Sequence, residues 1–163
     1  MVESPCRSLV ASGKVHARWA TVTALGLTAW GISAAMQGEG AAGLAVAAGG
    51  WLGWLIDPDL DHEQLRTHTE QRIYRALGKW PGRLWQALWA PYGVLIPHRS
   101  PWSHMPVLGT LIRAAYLYAF ICLIYILAAA PPPSLPGRSV AMLLGAWAIQ
   151  DTVHLALDGW RMY

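Results

Sequence analysis

Four apolar stretches, covering residues 19–36, 41–56, 107–130 and 140–157, dominate this sequence and point to helices that cross lipid. The first runs for eighteen residues without a charge, and the second is short but equally uncharged. The third is interrupted only by Arg113 near its start, and the fourth carries Gln150, Asp151 and His154 near its end. A helical span needs about 20 apolar residues to cross a hydrocarbon core of about 30 Å. The second stretch is marginal by that measure and must borrow flanking residues or sit close to the protein interior. Composition agrees with a lipid solvent. Apolar residues make up 55 % of the 163 and charged residues 13 %, where an average soluble protein has roughly 25 % charged. Ten Trp stand against one Phe, and Trp concentrates at membrane–water interfaces. The expected fold is all-α: a four-helix transmembrane bundle, one domain over residues 1–163, with a long cytoplasmic helical loop between spans two and three.

The links support that layout. Gln37-Gly-Glu-Gly40 is a tight turn that makes spans one and two a helical hairpin. Pro131-Pro-Pro-Ser-Leu-Pro-Gly137 ends the third span and begins the fourth after a short loop. Gly49 and Gly53 lie one turn apart on span two and permit close helix contact. Residues 57–106 form the long connection. Within it, residues 63–78 place Leu65, Ile73 and Leu77 on one helical face, and residues 80–92 read as a second helix. The Trp-rich side of that second helix suits the headgroup zone, either as a cap on the bundle or as a surface that receives an amphiphilic substrate.

Basic residues set the orientation. Arg7, Lys14, Arg18, Arg66, Arg72, Arg75, Lys79, Arg83, Arg99, Arg113 and Arg161 fall on one side of the four-span arrangement, and Arg138 alone falls on the other. The loaded side is expected to be cytoplasmic, with both termini there. The net charge of +3 is thus a topology signal, and no nucleic-acid-binding motif accompanies it. A cleaved signal peptide at Lys14 and Arg18 is the competing reading, but the apolar stretch is long for one and cleavage would remove His16. Cys6 and Cys122 cannot make a zinc framework. One lies in a polar tail and the other inside a span, so no disulfide is expected.

Candidate metal ligands are His16, the run Asp57-Pro-Asp59-Leu-Asp61-His62, His98, His104, and His154 with Asp158. They are scattered in sequence, yet the four-span layout carries every cluster to the same interfacial layer. Imidazole nitrogen and carboxylate oxygen together bind zinc, manganese or iron, and adjacent carboxylates can bridge two ions. His154 and Asp158 are four apart and project from one helix face. Asp59 and Asp61 are expected to converge in an irregular turn. Pro101 separates His98 from His104, so a rigid loop rather than a helix should present them. Gln150 and Asp151, one turn before His154, are expected to orient its ring. Taken singly, each is equally at home as a headgroup contact or a solvated helix end. Ionisable residues embedded in a span are costly, however, and point to a site.

These residues carry a resemblance. Ser12-Gly-Lys-Val-His16, the stretch GWLIDPDLD from Gly53 to Asp61, and Trp89-Ala-Pro-Tyr92 followed by HRSPWSHMPVLGTLIRAAY from His98 resemble the bacterial membrane family of uncharacterised metal-binding proteins. The likeness covers roughly residues 12–120. The ending His154-Leu-Ala-Leu-Asp158 is similar to a motif of the inner-membrane metal-dependent hydrolase family. Both families look like distant relatives of zinc-dependent phospholipase C and single-strand nucleases. The resemblance implies a metal site built from His16, Asp59, Asp61, His98, His104, His154 and Asp158. Asp57 stands where the family often has a small residue.

Two function classes follow. One is a metal-dependent hydrolase of phosphoester-type substrates at the cytoplasmic face of the bacterial inner membrane. It would use a divalent cofactor, zinc first, with manganese or iron as alternatives. Arg99 is then the candidate phosphate clamp, and Asp57 or Asp151 the candidate general base. The other is a non-catalytic membrane subunit or adaptor, homo-oligomeric or part of a larger complex, in which metal clasps helices together. Expected partners are membrane lipid and, for the enzyme, a lipid or nucleotide phosphoester. A metal transporter would need ligands spread through the membrane depth, and spans one to three offer almost none.

Overall fold

The computed structural model describes residues 13–61, 68–97, 100–134 and 136–160, and for Asp61 and His68 the backbone alone. Among these the chain is all-helical: α1 (Gly13–Met36), α2 (Gly40–Leu55), a 3₁₀ turn (Pro58–Asp61), α3 (His68–Leu77), α4 (Lys79–Leu95), α5 (Pro101–His104), α6 (Pro106–Leu127) and α7 (Gly137–Leu157). The hairpin between α1 and α2 closes through Gly38, whose φ of +89° suits a residue without Cβ. The expected loop before span three is partly helical. Pro101 sits at the first position of α5, where its fixed φ starts a helical turn, so His104 stands on a single turn of helix.

α2 lies between α1 and α7, and small residues make that possible. A Cβ on Gly31 would meet the Gly43 carbonyl oxygen at 2.3 Å, and one on Gly43 would meet that of Gly31 at 2.1 Å, so α1 and α2 cross backbone to backbone. On its other side, a Cβ on Gly49 would come 2.1 Å from the Leu143 carbonyl oxygen of α7, and one on Gly53 would reach Gln150. Gln150 adds the polar lock: its amide donates to the carbonyls of Ala20 at 3.0 Å and Gly50 at 2.9 Å. It therefore ties α7 to α1 and α2. The expectation that it orients the His154 ring is corrected, since its donors are spent on backbone.

Among the described residues, three helices, α1, α6 and α7, are long and apolar enough to cross a membrane. The expected fourth span is not among them. At 16 residues, α2 is about 24 Å long at 1.5 Å per residue, short of a core of about 30 Å. Its buried face is nearly all Ala and Gly, the composition of a helix held by neighbouring protein. α6 in contrast leaves Ile121, Leu123, Ile124, Ile126 and Leu127 exposed. Such an uncovered apolar belt is compatible with lipid.

Below the long connection, Ile56, Leu60, Trp89, Tyr92 and Trp147 form the main buried cluster. It joins α4, the 3₁₀ turn and α7. The Trp147 indole N–H donates to the Ile56 carbonyl at 3.2 Å, which fixes where the chain leaves α2. Tyr116 of α6 donates its hydroxyl to the Leu88 carbonyl and so ties α4 to α6. The end of α2, the start of α1, the end of α7 and α5 are thereby held at one end of the molecule.

Candidate metal centre

Among the described residues, five potential ligands converge at that end. His16 comes from the first turns of α1, Asp59 from the 3₁₀ turn, His104 from α5, His154 from the last turn of α7, and Asp158 from the residue that caps it. His154 is central. Its Nε2 lies 3.3 Å from Asp158 Oδ2 and 3.6 Å from Asp59 Oδ1. Asp158 Oδ1 is 3.0 Å from His16 Nε2, and Asp59 Oδ1 is 3.8 Å from His104 Nε2. The His16 and His154 rings have centroids 4.5 Å apart, and those of His104 and His154 are 6.1 Å apart.

These separations suit a shared ion. Ligands about 2.0–2.1 Å from a metal lie roughly 3.3 Å from one another in a tetrahedron, and closer in higher coordination. Among the described residues, two triads meet the geometric requirement: His16, His154 and Asp158, and Asp59, His104 and His154. They share His154 Nε2, which has one lone pair to give. One ion drawing on both triads therefore fits better than two ions each claiming that nitrogen. His154 Nε2 is buried and makes no hydrogen bond of good geometry, although two carboxylates face it. A cation between them would satisfy all three groups.

Hydrogen bonding also prepares His104 as a ligand. The Ser103 hydroxyl donates to the Ser100 carbonyl at 3.1 Å. Its oxygen is left to accept from His104 Nδ1, 2.8 Å away. With the ring proton held on Nδ1, the lone pair sits on Nε2, toward Asp59. Both carboxylates are kept ionised. Against the cost of desolvation, the His104 and His154 rings that face it hold Asp59 well below the ordinary carboxylate range. The same opposition, with His154 and His16 as the facing rings, depresses Asp158.

Asp57 is different. It lines a pocket with His16, Asp59 and His154, but belongs to neither triad. Its Oδ2 accepts from Thr69 at 3.2 Å, while Oδ1 is buried without a hydrogen bond. Burial, followed by the neighbouring Asp59 charge, raises its pKa to about 6. The pocket is completed by Gly13, Ala17, Trp54, Thr69 and Arg72, and encloses about 390 Å³ counting its open mouth. It gives the ligand cluster access to the outside.

The family model described as "Uncharacterized metal-binding protein (DUF2227)" matches residues 11–158. The chain belongs to this family. The match spans all five converging side chains, so metal binding is both the family's described property and what the donor set is chemically fit for. No curated protein and no solved structure matches the chain. Zinc phospholipase C, the single-strand nucleases and the inner-membrane hydrolases lie beyond what this family match covers.

The other expected site residues divide into two groups. His98 and Arg99 lie outside the described residues, as does the side chain of Asp61. Asp151, expected as a base or as a brace for His154, is engaged elsewhere. It accepts from Thr110 and from Arg113 of α6, both fully buried. Arg113 also donates to the Ser103 carbonyl at 2.7 Å. It thus joins α7 to the turn that carries His104. Sequence reasoning treated Arg113 as one more basic residue on the loaded side. A cation and an anion inside two otherwise apolar helices were the available signal that they pair. Thr69 and Arg72 were also missed as neighbours of the site, and no local pattern marks them.

Proposed function

We propose that this family member is a metal-dependent hydrolase acting on phosphoester-type substrates at the cytoplasmic face of the inner membrane. The observation that carries the reading is the open pocket, in which a carboxylate outside both triads, Asp57, lies beside His16, Asp59 and His154. A purely structural ion is enclosed by its ligands, whereas a catalytic one keeps a position open. A divalent ion held by the cluster, zinc or else manganese or iron, supplies charge neutralisation and activation of water. Asp57 is the general base of the proposal. Its Oδ1 accepts no hydrogen bond and is available to take a proton. Asp151 is the weaker candidate, because Arg113 and Thr110 occupy it.

The membrane setting belongs to the same proposal. α1, α6 and α7 cross the bilayer, while α2 completes the return from between its neighbours. The bias of Lys and Arg to the ligand-bearing end makes that end cytoplasmic. A second reading, an ion that clasps a non-catalytic subunit, is favoured by one observation. The five donors come from four separate segments and could fill a coordination sphere by themselves.

The test is turnover of phosphodiester and phosphomonoester substrates by the detergent-purified protein loaded with zinc or manganese. Hydrolysis is expected in the wild type. Asp57→Asn should retain the metal and lose roughly 10²–10⁴-fold in rate. Absence of turnover with both metals and both substrate types would remove the hydrolase and leave the clasp.

A further inference from the structure

One cation reaches the pocket from an element outside the described ligand set. Arg72, on α3, lines the cavity together with His16, Asp57, Asp59 and His154. Its guanidinium carbon stands 4.6 Å from the centroid of the Trp54 ring, and Trp54 is itself a wall of the pocket. The indole is fixed in turn, because its N–H donates to Thr21 of α1 at 2.9 Å. Stacking on an aromatic face immobilises a guanidinium while leaving its edge N–H groups available for another acceptor. Among the described residues, no carboxylate forms an ion pair with Arg72.

The surrounding charges make this placement informative. Among the described residues, Asp57, Asp59 and Asp158 bring three carboxylates to the site, more negative charge than one divalent ion balances. An arginine intended only to balance that charge would be expected to pair with one of the carboxylates directly. Arg72 instead holds its fork against Trp54, in the wall of a cavity that opens outward. Thr69, on the preceding turn of α3, spends its hydroxyl on Asp57. α3 is thereby anchored to the segment that bears the ligands, and Arg72 keeps a fixed distance from them.

We propose that Arg72 is the substrate-anion subsite: its guanidinium, stacked on Trp54, binds a phosphoryl group presented to the metal cluster. The proposal deepens the hydrolase reading and rests on it for the identity of the reacting group. It assigns the recognised feature to a phosphate oxygen, carried either on a lipid headgroup or on a water-soluble phosphoester.

Binding, rather than turnover, provides the test. Inorganic phosphate is titrated calorimetrically into the full-length, zinc-loaded protein in detergent, with elemental analysis of the same samples. The wild type should bind phosphate. Arg72→Gln should weaken binding about ten- to one-hundredfold, the scale of a lost charged hydrogen bond, with zinc content unchanged. Arg72→Lys should fall between them, because an ammonium keeps the charge but not the planar fork. Unchanged phosphate affinity in Arg72→Gln, or no phosphate binding by the wild type, overturns the subsite. Loss of zinc from both variants overturns it too, by giving Arg72 a structural role. Nanodiscs containing phosphatidic acid and soluble glycerol phosphate, each used to compete with inorganic phosphate, distinguish the two sources. Competition by either one supports the subsite, and failure of both refutes it. Phosphate binding that depends on Arg72 without any turnover would sink the hydrolase while leaving the subsite intact.

Discussion

Removal of the Arg113 guanidinium tests how the site is held. Arg113 and Asp151 are 0 % and 1 % exposed, and Arg113 bonds both the Asp151 carboxylate and the Ser103 carbonyl. Arg113→Met leaves Asp151 buried with Thr110 as its remaining partner. Breaking a buried pair on one side costs about 3–5 kcal/mol, mostly from the charge left behind. Asp151→Leu strands the arginine and should cost a similar amount. If the two residues acted independently, the double variant would lose roughly 6–10 kcal/mol, the sum of those losses. Replacing both partners with apolar groups removes the stranded charge. What remains lost is the bond to Ser103, about 1.5–3 kcal/mol for a hydrogen bond from a charged donor. The double variant should therefore be more stable than either single one. Its metal affinity should still fall about 10–100-fold, because the turn carrying His104 has lost its clamp. Unfolding by SDS titration, followed by circular dichroism, measures the first effect, and zinc competition with a chelator the second. Additive losses in the double variant would refute the pairing argument. Wild-type zinc affinity in that variant would refute the clamp.

Two further outcomes follow from the geometry. In the metal-free protein, Asp57 binds its proton more tightly folded than unfolded, with a pKa of about 6 against 3.8. The folded state thus holds more protons between those values. Stability relative to Asp57→Asn should fall as pH rises from about 4 to 6, by up to roughly 3 kcal/mol, and stay level above that; equal pH profiles for the two proteins in chemical unfolding would contradict it. Gly49→Ala places a Cβ 2.1 Å from the Leu143 carbonyl oxygen, whereas Gly26→Ala meets nothing within 4 Å. The first should lose about 1–3 kcal/mol or more by overpacking and the second nothing, as read from thermal unfolding in detergent.

Much of this arrangement was legible in the sequence because it depends on one-dimensional pattern. Uncharged runs gave helices, Gln37–Gly40 gave a hairpin turn, and the alternating direction of the long helices brought His16, Asp59, His104, His154 and Asp158 to one end. Gly49 and Gly53 were readable as contact points because a residue without Cβ has few other uses in the middle of a helix. The standing of α2 as a span was not fixed in this way. Its apolarity serves burial between α1 and α7 as well as it would serve lipid, and only the packing and the 16-residue length distinguish the two.

What tertiary structure alone decided was the assignment of polar partners. Gln150, Asp151 and His154 share one short helical segment, yet they turn to backbone carbonyls, to Arg113 and to the ligand cluster respectively. Successive helical residues point about 100° apart, so neighbours in sequence face different surroundings. Which surroundings those are depends on α1, α2 and α6, none of which the local sequence specifies. The same holds for Arg72, which a surface-helix pattern leaves anonymous and the fold places against Trp54. Sequence determined which chemical groups reach the ligand-bearing end. Packing determined which of them face one another, because hydrogen bonds and ion pairs form over a few ångströms and not along the chain.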